Sequence, residues 1–212
     1  MLQKIKRCLL LALTIVILAP AARGFAATPK QEALNAYNRW LSGTMVQVMP
    51  KGFGSECDRV SSSQVRFAIA YINNDSIPEL IVQATDDESQ TFQSILTYRN
   101  GKIVRIYHTH VYIGLIKGYY SRTGMFLKQN SKSKGKGSDY CVMGTTGVTT
   151  RLSILTSVTP TIYCYIAKNG DLVSLRNHTE FKNKLLTFTK GKALTPVKFS
   201  KNTAANRKNI LK

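Results

Sequence analysis

The chain has 212 residues, with 30 Lys and Arg against 11 Asp and Glu and a formal charge of +19. Its 43% hydrophobic content excludes a disordered tail protein, which lacks the apolar residues to build a core. No Gly-X-Y period or longer repeat runs through it, which excludes collagen-like chains and repeat arrays.

Residues 1–27 have the three-part layout of a secretory signal peptide. Lys4, Lys6 and Arg7 form a basic start. Cys8 to Ala19 is apolar apart from Thr14, Pro20 breaks the run, and small residues follow, with cleavage expected near Gly24 to Ala27. The apolar run falls short of the roughly 20 residues that span a bilayer. The expectation is a secreted, extracellular protein in which residues 28–212 form a single α+β domain without a transmembrane segment.

Thr28, Pro29 and Gln31 make a helix start of capping-box pattern. Ala33, Leu34, Tyr37, Trp40, Leu41 and Met45 then recur at helical spacing, with Gly43 near the end. Residues 50–63 read as a loop. From Arg66 the period becomes two, with Phe67, Ile69 and Tyr71 opposite Ala68 and Ala70, and Glu79 to Ala84 is the next strand. Ser94 to Arg99 and Lys102 to Val111 flank Asn100-Gly101, a strong hairpin signal. Gly114 to Ser121 and Gly124 to Gln129 form another pair, turning near Arg122-Thr123-Gly124.

Residues 131–138 read as an exposed loop. Asp139 to Gly144 and Val148 to Val158 are further strands. Val148, Leu152, Ile154 and Val158 are expected on one face, with Arg151, Ser153 and Ser157 on the other. Thr161 to Ala167 and Asp171 to Leu175 flank a second Asn-Gly turn, Asn169-Gly170. Asn177, with Glu180 three residues on, opens a helix carrying Phe181, Leu185 and Phe188 on one face. A short strand near Pro196 to Phe199 and a last helix after Asn202 complete the chain. Sequential hairpins predict an antiparallel meander packed by the N-terminal amphipathic helix, with small C-terminal helices.

Without Cys8 the cysteines are Cys57, Cys141 and Cys164. Their spacing suits no zinc site. Two readings stand: three small buried thiols, or one bridge, for which Cys141 and Cys164 are the favoured pair.

The charge is unevenly divided. Residues 28–110 hold eight Lys and Arg and eight acids. Residues 111–212 hold 18 Lys and Arg against Asp139, Asp171 and Glu180. Such a field attracts polyanions and weakens with salt. Lys128, Lys132, Lys134, Lys136, Lys182, Lys184, Lys190 and Lys192 are the candidate anion-binding residues; the competing reading is a solvated basic surface. Outside a cell the available polyanions are surface polymers and lipid head groups, so a specific nucleic-acid partner is not expected.

Asn73, Asp75 and Glu79 place side-chain oxygens at spacing 1, 3, 7 in a tight loop, a weak calcium pattern whose alternative is a plain Asn/Asp turn. The stretch resembles the calcium loops of integrin-type (FG-GAP and VCBS) repeats, but Tyr71 stands where the first Asp would be and Ser76 where the Gly would be. Asp86-Asp87-Glu88 reads as a solvated turn. His108 and His110 share a strand face, with Val104 and Ile106 expected beside them. No nucleophile elbow, zincin or phosphate-loop motif is present. Ser131 to Lys134 spells S-x-x-K in a Gly/Ser/Lys loop, the wrong context for a buried serine/lysine pair.

The stretches Phe67 to Leu80, Leu96 to Val104 and Lys201 to Leu211 are together similar to a group of uncharacterised secreted proteins of Gram-positive anaerobic bacteria. The resemblance implies an exported protein and assigns no catalytic residue. The reading is a non-enzymatic secreted module that binds anionic surface or extracellular material through its basic C-terminal half. Its rivals are an extracellular enzyme with a dispersed site and a calcium-stabilised surface protein.

Overall fold

A computed structural model describes residues 27–50, 59–85, 90–130, 137–144, 147–155, 161–166 and 170–212. The signal-peptide residues up to 26, Cys57, the Asp86 to Glu88 run, the S-x-x-K stretch and Asn169 lie outside the described residues. Thr28 caps the first helix, α1 (Pro29–Leu41), its Oγ1 accepting the Gln31 N–H at 3.2 Å. The Gln31 amide does not complete a capping box; it donates along the helix to Asn35 Oδ1. Ala33, Leu34, Tyr37 and Leu41 are buried on one stripe. Met45 departs from that stripe, because the helix ends at Leu41 and Met45 opens a two-residue strand with its side chain exposed.

That strand, β1 (Met45–Val46), pairs with β2 (Val60–Ser61). An antiparallel meander follows: β3 (Arg66–Ala70), β4 (Glu79–Thr85), β5 (Thr91–Arg99) and β6 (Lys102–His110). Asn100 and Gly101 take φ of 50° and 76°, a turn whose hand matches strand twist. A second meander runs through β7 (Leu115–Tyr120), β8 (Met125–Asn130), β9 (Gly137–Met143), β10 (Val148–Leu155), β11 (Ile162–Ile166) and β12 (Leu172–Leu175). Asn177 caps α2 (His178–Thr189), its Oδ1 accepting the Glu180 N–H at 3.0 Å. The chain ends with β13 (Leu194–Pro196), β14 (Ser200–Lys201) and α3 (Ala204–Ile210). The class is α+β, mostly antiparallel sheet.

The meander does not stay in one sheet. At Val111 to Gly114 the chain leaves β6 by a tight turn, held by the Gly114 N–H on His110 O at 3.0 Å and by the Thr109 hydroxyl on Gly114 O at 2.6 Å. One sheet then has the order β14-β3-β4-β5-β6 and the other β12-β11-β10-β9-β8-β7-β13. Three apolar clusters stack these parts in layers. α1 and the end of α3 cover one face of the five-stranded sheet through Tyr37, Phe67, Leu80 and Leu211. Ile81 and Ile95 of that sheet meet Ile116 and Phe126 of the other. Phe181, Leu185 and Phe188 of α2 cover the outer face of the seven-stranded sheet, on Tyr120, Met125 and Leu152.

Bulges alter the expected faces. β10 gains a residue at Arg151, between the pairs Thr150↔Cys141 and Leu152↔Tyr140. An inserted residue flips every side chain beyond it, so Val148 packs between the sheets while Leu152 and Ile154 pack under α2. β6 gains one at Ile106. His108 and His110 therefore share their face with Arg105, not with Val104 and Ile106. Ile106 packs between the sheets, and burial followed by Arg105 and His110 lowers the His108 pKa.

Cys141 and Cys164 are both buried free thiols. They lie on β9 and β11, with β10 between them, and Cys164 is level with Asp139, two residues along β9 from Cys141. Their Cα atoms therefore stand more than two strand spacings, over roughly 9–10 Å, apart. A disulfide needs about 4.4–6.8 Å, so the favoured bridge does not form. Burial pushes the Cys141 thiol up to about 11.

The last strand was expected at Pro196 to Phe199. Instead the segment divides: β13 pairs with β7 and β14 pairs with β3, so one stretch of chain closes the edges of both sheets. Asn202 then anchors the terminus. Its buried Nδ2 donates to Leu41 O at 2.8 Å and Ser62 O at 3.0 Å, and its Oδ1 accepts from Arg207.

Candidate anion-binding surface

The candidate lysines are placed in four different ways. Lys132, Lys134 and Lys136 lie outside the described residues. Lys182 is exposed on α2, and Lys184 lies half-buried on the same helix with Nζ 4.4 Å over the Tyr165 ring. Lys190 and Lys192 are exposed in the turn that leads from α2 into β13.

Lys128 differs from all of these. It is 8% exposed and faces the gap between the sheets, where its Nζ meets Asp139 Oδ2 at 2.9 Å. Burial is the strongest single influence and works against its ammonium, but the Asp139 hydrogen bond together with the charges of Tyr107, Asp139 and Cys141 outweighs it and holds the pKa above its ordinary value. The register explains the pairing. Lys128, Asp139, Ser153 and Cys164 stand in one row across β8, β9, β10 and β11. Ser153 Oγ donates to Asp139 Oδ1, so the carboxylate is held from both sides. This ammonium neutralises an internal carboxylate and is not presented to an external anion.

The pairings of β13 and β14 assemble a different basic group. Pro196 stands opposite Gly118, and the Val197 N–H reaches Lys117 O at 3.0 Å. Lys117 is itself the extra residue of a bulge between Ile116 and Gly118, which turns its side chain out to solvent. Lys192 precedes β13 by two residues and Arg122 follows β7 by two, so both flank the same end of the antiparallel pair. Farther along, Lys198 lies between β13 and β14, and Lys201 stands opposite Arg66. Arg66, Lys117, Arg122, Lys190, Lys192, Lys198 and Lys201 are all exposed. At about 3.3 Å per residue the stretch from Lys192 to Lys201 reaches at most about 30 Å.

Close packing of the strands lets this seam exist. A Cβ on Gly118 would come within 2.9 Å of both Leu194 Cδ1 and Thr195 O, so only glycine admits β13 here. At the seam's other side the Arg122 guanidinium lies 5.3 Å over the Tyr71 ring. None of β3, β7, β13 and β14 carries an acid.

Arg66, Lys117, Arg122, Lys198 and Lys201 are the members that sequence reasoning missed. A usable signal was there: residues 111–138 and 181–212 contain no Asp or Glu at all, and β7 and β13 come from those two stretches. Spacing along the chain could not join Arg66 to Lys201, because their pairing spans most of the fold.

The loop considered for calcium closes on itself. Asp75 Oδ1 accepts the Ile77 N–H at 2.9 Å and Oδ2 accepts Asn73 Nδ2 at 2.8 Å, while Asn73 Oδ1 accepts the Asp75 N–H at 3.2 Å. Glu79 turns away from solvent. It is fully buried, with Oε2 accepting the Ile72 N–H at 2.9 Å and Oε1 without a hydrogen-bond partner. Burial first, opposed by that hydrogen bond, and then the Asp75 charge bring its pKa up to about 7. Among the described residues no group of three or more His, Cys, Asp or Glu is placed to hold a metal ion. No helix among them is long and apolar enough to cross a membrane.

Comparison with known proteins found no matching family model, no matching curated protein and no matching solved structure.

Proposed function

We propose that this is an exported, non-enzymatic protein that holds a linear anionic polymer of the cell surface or extracellular material along the seam of β13 and β14. The observation that carries the reading is the gathering of seven exposed cations on an edge whose four strands contain no acid. Like charges brought together without counter-charges repel each other, and a bound polyanion relieves that repulsion. The same lysines, with Pro196 and the shortness of β13, also guard a sheet edge against pairing with another chain. Edge protection alone predicts no affinity for polyanions beyond that of any equally charged surface.

The test compares two triple variants of equal charge change. Lys192→Gln, Lys198→Gln and Lys201→Gln remove charge from the seam. Lys30→Gln, Arg39→Gln and Lys102→Gln remove it from α1 and from β6, the opposite edge of the five-stranded sheet. Binding to purified anionic wall polymer is measured against salt. Each lost contact with a linear polyanion lowers the log–log salt slope by up to about one. The seam variant should lose about two to three in slope, the distal variant less than one. Equal losses would leave only a diffuse positive surface, and the seam would have no special role.

A further inference from the structure

The buried Glu79 is the first link of a chain of hydrogen bonds that joins the two sheets. Its Oε2 accepts the Ile72 N–H; Ile72 O accepts the Gly124 N–H at 2.7 Å; Gly124 O accepts the Met143 N–H, also at 2.7 Å. Beside it, Tyr71 O accepts the Arg122 N–H at 2.8 Å. The β3–β4 loop thus grips the β7–β8 turn, and Arg122, held in that turn, is one of the seam cations. The far end of the loop is fixed separately, by the Tyr37 hydroxyl donating to Pro78 O at 2.9 Å.

We propose that Glu79 is a proton-operated latch: the neutral carboxyl keeps the β3–β4 loop on the β7–β8 turn, and the ionised carboxylate releases it. Oε1 is buried with no hydrogen-bond partner. The backbone N–H groups of Ile72, Glu79 and Asn73 favour the charged form but are outweighed by burial, so a charge on this group needs water that the closed arrangement excludes. The groups that face it do not supply a counter-charge. Tyr37 approaches from α1 and remains a phenol, held well above its ordinary range by burial and then by the Glu79 charge. Asp75, on the same loop, adds like charge. From the β7–β8 turn the only cation is Arg122, whose guanidinium lies out over Tyr71. Water reaches Oε1 when the Tyr71–Ile72 end lifts, since Tyr37 pins the Pro78 end. Lifting breaks the bonds to Arg122 and Gly124 together. The upward-shifted pKa of the group puts the transition near neutrality.

Hydrogen exchange on the whole protein, corrected for intrinsic rates, tests the latch. Protection at the Arg122 and Gly124 amides should fall at least about tenfold between pH 5.5 and pH 8.5, and by more than at the Ile95 amide inside the five-stranded sheet, which follows global stability. In Glu79→Gln, which stays neutral and can still accept the Ile72 N–H, the two amides should remain protected throughout. Protection in the wild type that does not vary with pH would overturn the latch even if the variant did not fold. An equal loss in the folded variant would overturn it as well. The consequence for binding rests on the anionic-polymer reading: at constant salt, affinity for wall polymer should drop across the same pH interval in the wild type and hold in Glu79→Gln. An amide response without an affinity response would keep the latch and count against the seam.

Discussion

The two sheets are built by the same hairpin topology and differ in what they bury and how they are charged. In the five-stranded sheet, β4 and β5 are buried on both faces, because α1 closes one side and the second sheet the other. In the seven-stranded sheet, β11 and β12 keep most residues at least partly exposed, and a single helix crosses the outer face. Most of the positive charge lies in the chain half that forms this second sheet, yet the terminus carries part of it back to the first. The contrast teaches that a charge asymmetry along the chain need not be an asymmetry in space: a single returning strand pair converts it into a seam.

The largest expected effect lies in the doubly covered sheet. Phe67→Ala should cost about 3–5 kcal/mol in denaturant unfolding, through lost burial and the cavity left behind. Ile162→Ala, on β11 with 42% of the side chain exposed, should cost under about 1 kcal/mol. Comparable values for the two would abolish the distinction between the sheets.

Next comes pH. Glu79 binds its proton more tightly folded than unfolded, with a folded pKa of about 7 against 4.5. The folded protein therefore keeps a proton that the unfolded chain loses, and stability falls as pH rises from about 4.5 to about 7, then levels off. The drop attributable to this group is up to about 3 kcal/mol. Thermal melts of Glu79→Gln should lack that component and exceed the wild type above pH 7. A parallel pH profile in both proteins would mean that the carboxyl is already ionised in the fold.

The smallest effect concerns the join. Gly118→Ala puts a methyl group against Leu194 and the Thr195 carbonyl, and should cost about 1–3 kcal/mol. Its distinguishing mark is local: amides of β13 should lose protection before those of β8 and β9. Loss spread evenly over the sheet would show that β13 is not a separable closing strand.

Local signals were read well where the structure depends on neighbours in sequence. The caps at Thr28 and Asn177, the Asn100-Gly101 turn and the face of Phe181, Leu185 and Phe188 all follow from bonds and contacts within a few residues. Of the candidate site, Lys190 and Lys192 were legible as exposed cations beside a helix end, and they form one end of the seam. Lys128 counts in sequence only as one cation of the basic half, and a count of charges cannot show that a carboxylate on the next strand stands opposite it. In sequence Glu79 stands at the third position of a weak calcium spacing whose alternative is a plain Asn/Asp turn, whereas its position as the first residue of β4 turns it inward.

By itself the sequence determined the hairpins, the helix caps, the α+β class and the excess of cations after residue 110. These rest on short-range geometry and on composition, which are complete in the order of residues. Only the tertiary structure decided that the meander splits into two stacked sheets, that bulges at Ile106, Lys117 and Arg151 reassign faces, and that Arg66 and Lys201 become neighbours. The physical reason is that register and burial belong to pairs of strands: a one-residue slip inverts a face, and its cost is set by whatever packs opposite.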